Sequence, residues 1–178
     1  FTYLDTGAMY RAVALKYLRL PEEERIPEKL GEIARSLHLE FHDDGSFYAD
    51  GEDITDEIRT EEVSRHVYLS ADDLSVREAL VEEQRRLGRE HPAVLEGRDI
   101  TTVVFPDARW KFYLDASPRV RAQRRVDQHA AKGQDTGFDE VYRNLLDRDE
   151  RDRNREWGAL TLSPSATVID TTGLSEVR

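Results

Sequence analysis

The chain has no cysteine, so neither a disulfide nor thiolate chemistry is open to it. It has one methionine, and only four of its 26 basic residues are lysine, leaving 22 arginines. No apolar run approaches the roughly 20 residues of a membrane-spanning helix, and no secretory signal is read at the amino end. The five histidines are scattered; His38 and His42 are four apart but fall in a stretch that reads as strand, so no metal site is expected within the chain. Repeats and low-complexity segments are also missing. What is abundant is charge, 35% of residues, with a net value of −11. That balance argues against a general nucleic-acid or anionic-membrane binder. With so many arginines in an acidic chain, their gathering in one pocket is expected. A length of 178 residues with 38% hydrophobic content fits one domain with a real core and room for a small insert.

Apolar spacing predicts a helix from Ala8 to Arg19, a two-proline loop, and a second helix to about Ser36. The period then changes to two. Leu37, Leu39 and Phe41 alternate with polar residues, Asp44-Gly45 and Asp50-Gly51 are turns, and an antiparallel β insert is expected over about 37–58. Helices follow over Thr60–Leu69 and Val76–Glu90, the second stopping near Pro92. Strands are expected at 93–96, from Trp110 to Leu114, and at 167–170. Ser117-Pro118 starts a helix running to about Lys132-Gly133, and another spans Phe138 to about Trp157. This alternation implies an α/β fold with a largely parallel sheet flanked by helices. Phe1–Leu4 reads as the tail of a strand, and Leu174–Arg178, with Ser175 as cap, as a helix start cut short. With no initiator Met, the chain reads as part of a longer protein.

The richest stretch is Glu96-Gly97-Arg98-Asp99-Ile100-Thr101-Thr102-Val103-Val104-Phe105-Pro106-Asp107-Ala108, which follows the apolar strand Ala93-Val94-Leu95. Ligands of open α/β sheets sit beyond the carboxyl ends of strands. Arg98 can grip a phosphate with its planar fork, and Asp99 can accept from a base or sugar. The same two residues also suit an ordinary surface ion pair. Arg148, Asp152 and Arg155 are spaced to share one helix face, which suits either phosphate binding or a solvated, salt-bridged helix.

In order along the chain, this stretch resembles the strand end and following segment of bacterial cytidylate kinases, and other motifs extend the likeness. They are Tyr3-Leu4-Asp5-Thr6-Gly7-Ala8-Met9-Tyr10-Arg11, Val76-Arg77-Glu78-Ala79-Leu80 with Gln84-Arg85-Arg86, Lys111-Phe112-Tyr113-Leu114-Asp115-Ala116-Ser117, and Arg148-Asp149-Glu150-Arg151-Asp152-Arg153-Asn154-Arg155. The resemblance covers nearly the whole chain. It implies a P-loop kinase fold of nucleoside monophosphate kinase type, one domain over 1–178. The β insert then belongs to an enlarged monophosphate-binding region, and about 118–157 forms a helical lid with its flanking helices. It implies ATP-dependent phosphorylation of CMP or dCMP by a cytoplasmic monomer, with Mg²⁺ accompanying ATP and no nucleic-acid or membrane partner.

By the same likeness, Thr6 and Arg11, at a helix start that attracts phosphate, meet the acceptor phosphate. Arg77 and Asp99 read cytosine, the carboxylate accepting from the exocyclic amine that uracil lacks. Arg98 joins them in substrate binding. Arg148 and Asp152 reach the sugar and Arg155 the phosphate, while Arg124 and Arg125 meet the phosphate in transit; Arg119 and Arg121 have weaker claims. Three departures stand out. The family usually has serine at the position of Tyr68, so Ser64 or Ser70 substitutes or base recognition differs. Thr101 stands where glycine is usual, and Ala159-Leu160 where Pro-Leu is. The donor loop G-x-x-x-x-G-K-[ST] does not occur in the 178 residues, so the first strand and P-loop of the fold are expected to be absent and no cofactor-binding residue is assigned. The chain alone is therefore expected to be inactive. A kinase of another small acceptor on the same fold, or a non-catalytic nucleotide-binding module, are the alternatives.

Overall fold

Strand β1 (Thr2–Asp5) passes directly into helix α1 (Thr6–Leu18). Asp5 makes the junction: its backbone is still extended while its Oδ1 accepts from the Ala8 amide at 3.1 Å, an N-cap that starts the helix two residues earlier than its apolar spacing predicts. In this computed structural model residues 1–90, 92–131 and 133–175 are described. They form two compact units, Phe1–Phe105 and Pro106–Arg178.

In the first unit α1 is the centre. Ala8, Met9, Ala12, Val13, Ala14 and Leu15 are all buried, so the helix is apolar around most of its circumference rather than along one stripe. Around it lie α2 (Pro27–Ser36), α3 (Glu61–Ala71) and α4 (Leu74–Glu90). Thr60 caps α3 by accepting from the Val63 amide at 3.4 Å. Asp73 caps α4 by accepting from the Val76 amide at 2.9 Å. At Gly31 α2 meets α4 so closely that a Cβ would stand 2.2 Å from Ser75 Oγ.

The expected insert is a three-stranded antiparallel sheet, β2 (Leu39–Phe41), β3 (Phe47–Ala49) and β4 (Glu52–Asp53). Asp50 (φ 55°) and Gly51 (φ 76°) form its second turn, both left-handed as a type I′ hairpin turn requires. Strand β5 (Ala93–Glu96) then pairs parallel with β1, with Asp5 opposite Glu96. The turn Gly97–Asp99 therefore leaves the carboxyl end of β5 next to the start of α1.

In the second unit β6 (Phe112–Asp115) pairs parallel with β7 (Thr167–Asp170), and α5 (Pro118–Ala131) and α6 (Phe138–Asn154) lie between them in sequence. The parallel strands joined through helices are those of the expected α/β fold. Two boundaries differ from the sequence reading. Strand β6 begins at Phe112; just before it the Lys111 ammonium is anchored on the Pro106 carbonyl and, at 3.0 Å, Ser165 Oγ. Helix α6 stops at Asn154 rather than near Trp157: the Leu160 amide takes the Asp152 carbonyl at 2.7 Å, and Gly158 (φ 68°) reverses the chain. Leu174 and Ser175 are not helical, and the rest of the expected terminal helix lies outside the described residues, as does Lys132 at the expected end of the helix after Ser117.

The insert is fastened to α1 by charge. Lys16 Nζ is 3.1 Å from Asp50 Oδ2, and Arg19 donates to both Glu52 oxygens at 2.7 and 2.8 Å and also pairs with Glu57. Burial alone would raise the Asp50 carboxyl, but the His38 amide and Lys16 together hold it below its ordinary value; the Arg19 bonds lower Glu52. Carboxyls depressed in the folded state stabilise it above the ordinary carboxylate range and lose that contribution as pH falls through their folded values. Urea midpoints measured from neutral to acid pH should therefore fall. In the Lys16→Met/Arg19→Met variant they should start lower and fall less steeply; an unchanged acid slope would show that these pairs do not carry the effect.

Candidate functional site

The turn after β5 is tied to the start of α1. Thr6 Oγ1 donates to the Glu96 carbonyl at 2.7 Å. Gly97 must be glycine for lack of space: a Cβ there would sit 2.4 Å from Thr6 Oγ1 and 2.9 Å from Ile100 Cδ1. Burial, followed by a hydrogen bond to the Glu96 carboxylate, pushes the Tyr3 phenol above its ordinary range.

Beyond Gly97 the two motif residues part. Arg98 is exposed, whereas Asp99 is only 5% exposed and its Oδ2 pairs with Arg77 NH2, itself 5% exposed. Arg77 also donates to the Ala71 carbonyl at 3.2 Å and lies over the Tyr10 ring, 5.6 Å from its centroid. The Asp99 carbonyl accepts from the amides of Thr102, Val103 and Val104 at 3.3, 2.8 and 3.3 Å. A wide helical turn, Ile100–Val104, follows and closes with the Phe105 amide on the Ile100 carbonyl at 2.8 Å. Asp99 is thus fixed through both side chain and main chain, and its carboxylate pairs inside the protein with Arg77 rather than at the surface with Arg98. Tyr10, not singled out in the sequence, is the platform for Arg77; only its place beside Arg11 hinted at it.

Arg11, one turn into α1, donates to the Ile58 carbonyl at 3.2 Å and to Ser64 Oγ at 2.9 Å. Of the hydroxyls considered in place of Tyr68, Ser64 is thus engaged with Arg11. Ser70 is fully buried and donates to the Tyr10 and Val67 carbonyls at 2.8 and 2.9 Å. Tyr68 itself is 43% exposed. A cleft of about 520 Å³ borders Thr2, Leu4, His38, Phe41, Leu87 and Glu90 at the other end of β1, and none of the predicted site residues lines it.

In the second unit Asp152 is buried at the end of α6, with Arg155 NH2 at 2.9 Å and Arg148 Nε at 3.9 Å. The three predicted residues do converge, although Arg155 lies just past the helix rather than on its face. One turn earlier, Asp149 receives both arms of Arg121 at 3.0 and 2.6 Å, which raises the Arg121 guanidinium above its ordinary value. This bidentate pair was not predicted; its partners are 28 residues apart and carry no local signal. Arg124 donates to Thr171 Oγ1 and to the carbonyls of Thr171 and Leu174 at 3.1, 2.6 and 2.9 Å, so it braces the chain after β7, while Arg125 is exposed.

Many of the other arginines serve the fold. Arg25, Arg59 and Arg124 hold backbone carbonyls, while Arg19, Arg65 and Arg86 pair with exposed carboxylates. Among the described residues no group of three or more His, Asp or Glu side chains could hold a metal ion. None of their helices is long and apolar enough to cross a membrane.

A family model described as "Cytidylate kinase" matches residues 1–177. The chain is 43% identical over 180 residues to a cytidylate kinase of Caldanaerobacter subterraneus subsp. tengcongensis, covering 99% of this chain and 78% of the relative. It is 43% identical over 171 residues to one from Clostridioides difficile, covering 96% and 79%. It is 41% identical over 184 residues to one from Thermodesulfovibrio yellowstonii, covering 98% and 81%.

Asp99→Ala strands the Arg77 guanidinium in the interior. Urea unfolding should show a loss of about 3–5 kcal/mol, the scale for breaking a buried pair from one side. Replacing both members by apolar residues of similar volume, Arg77→Met with Asp99→Leu, should cost less than the single change. A loss with Asp99→Ala no larger than that of an exposed pair would contradict the burial argument.

Proposed function

The chain belongs to the cytidylate kinase family, and on that premise we propose that it supplies the acceptor side of a phosphoryl transfer in which ATP and CMP or dCMP give ADP and CDP or dCDP. The reading takes residues 1–178 as one nucleoside monophosphate kinase domain acting as a cytoplasmic monomer, with 37–58 in the monophosphate-binding region and 118–157 as lid and flanking helices. The match of the family model to residues 1–177 supports it. The observation that carries the acceptor assignment is the buried Arg77–Asp99 pair beside exposed Arg98 at the carboxyl end of β5.

In this reading Arg98 and Arg11 hold the acceptor phosphate, with Thr6 at the same helix start. Arg77 engages Asp99 Oδ2, and a carboxylate has two acceptor oxygens, so Oδ1 is the group for the cytosine amine. Arg148 and Asp152 hold the sugar. The acceptor oxygen is already ionised, so no general base is needed, and rate comes from alignment and charge neutralisation. Arg124, Arg125 and Arg155 are assigned to the transferring phosphate, each worth roughly 3 kcal/mol at the transition state by the scale of single stabilising donors. Mg²⁺ bound to ATP would supply neutralisation of its phosphates; the described carboxylates form no cluster fitted to hold the ion.

A coupled ADP-release assay tests the reaction. Residues 1–178 alone should give no turnover, since they contain no Gly-rich triphosphate loop, and joining a segment bearing that loop upstream should produce CDP. Robust turnover by the 178 residues would place the donor site among them and refute this assignment. In the longer protein Asp99→Asn should shrink the preference for CMP over UMP by roughly 1–3 kcal/mol, the scale of a lost base contact. Equal losses for both nucleotides would assign Asp99 to folding rather than base choice.

A further inference from the structure

We propose that Arg85 is a positioning residue for the Arg98–Asp99 turn, an inference that rests on the acceptor-site reading. Arg85 lies on α4 eight residues after Arg77, about 12 Å further along the helix. Its Nε donates to the Val104 carbonyl at 3.0 Å and its NH2 to the Val103 carbonyl at 2.7 Å. The amides of the same two residues donate to the Asp99 carbonyl. A chain of hydrogen bonds therefore runs from Arg85 through the last residues of the wide turn to the main chain of Asp99.

Arg77 holds the same residue by its side chain, so one helix clamps the segment at both ends. Arg98, the exposed cation, is the residue next to the clamped one.

The chemistry of the clamp is specific to arginine. A planar fork placing two N–H groups on consecutive carbonyls fixes the orientation of the segment as well as its distance; an ammonium fixes only distance. The carbonyls at the end of a helical turn have no partner within that turn, so the guanidinium also satisfies acceptors on half-buried Val103 and buried Val104. One turn further along α4, Gly88 lets the helix lie flush against the continuing chain, where a Cβ would come 2.8 Å from the Phe105 ring. Gln84, 1% exposed, seals the same stretch of helix. With Arg85 gone, the turn can unwind from Val104 back to Asp99, and Arg98 loses its fixed bearing without any change in its own side chain.

The test uses the complete enzyme, with Arg85→Lys and Arg85→Gln beside Arg86→Lys; the exposed Arg86 guanidinium pairs with Glu83 and Glu90 on its own helix. For both Arg85 variants KM for CMP should rise about tenfold or more while kcat stays within about threefold, the pattern of a misplaced binding group. Amide exchange at Val103 and Val104 should quicken while α1 amides keep their protection, and Arg86→Lys should change neither. Arg85→Lys keeps the stem and charge, so it decides the matter if Arg85→Gln fails to fold. A lowered melting temperature with unchanged KM, or unchanged exchange at Val103 and Val104, overturns the proposal. Wild-type enzyme that binds no CMP would sink the acceptor reading instead, and the exchange data would still decide whether Arg85 holds the turn.

Discussion

A buried guanidinium–carboxylate pair sets the terms for the first unit. Taking Arg77 and Asp99 out of water costs several kcal/mol per ion, and their attraction repays it only when the remaining donors and acceptors are satisfied. The surroundings meet it on the cation's side: the Ala71 carbonyl takes another Arg77 donor and the Tyr10 face lies under the guanidinium, while three amides on the Asp99 main-chain carbonyl hold the carboxylate's residue in place. Each requirement falls on a different element. Tyr10 must lie on α1, Ala71 at the end of α3, Arg77 on α4, and the turn must wind tightly enough to aim three amides at one oxygen. The pair is thus a weak source of stability and a strong constraint on arrangement. It brings two helices and the end of a third against one turn and leaves Arg98 as that turn's exposed cation.

Arginine's dominance over lysine reads differently once the partners are known. Arg25 holds the carbonyls of Leu18 and Leu20 after α1, Arg59 that of Thr55, Arg121 that of Ala116, and Arg124 two carbonyls after β7. These are the orphan acceptors that helix ends and loops leave behind. A guanidinium with five donors in a rigid fork suits them, because it can serve two acceptors at once without deprotonating. In an acidic chain with short strands and many helix ends, arginine therefore serves the main chain as well as phosphate. Composition alone cannot divide those uses.

Elements were legible wherever the signal was local. The insert's alternating Leu37, Leu39 and Phe41 with two Asp-Gly turns gave its strands, and Ser117-Pro118 gave the start of α5. Helix starts at Thr6 and Leu74, behind the caps Asp5 and Asp73, were missed by two residues, because apolar spacing marks the buried face and not the cap. The end of α6 was misjudged because a distant amide, that of Leu160, competes for the carbonyl that would have continued the helix. At the site, motif order picked out Arg77, Asp99 and Asp152 as residues of interest. It could not say that Asp99 is buried and Arg98 exposed, nor pair Arg121 with Asp149. Those facts depend on which elements meet, and that depends on packing across tens of residues.

Two positions of the acceptor turn differ in what they tolerate. Gly97 is required by space: its missing Cβ is the room in which Thr6 Oγ1 reaches the Glu96 carbonyl. Thr101 stands where relatives of this kind usually carry glycine, and an added Cβ could be expected to reshape the turn. Yet Thr101 lies inside the helical winding of Ile100–Val104, and among the described residues Asp50 is the one non-glycine with positive φ. Its backbone is therefore one that any L-residue adopts, and the β-branched side chain introduces no left-handed strain. The turn is held at its two ends, by the Asp99 carbonyl and by the carbonyls that Arg85 bonds, and threonine sits between them without backbone strain. The residue between them is free to vary so long as it winds.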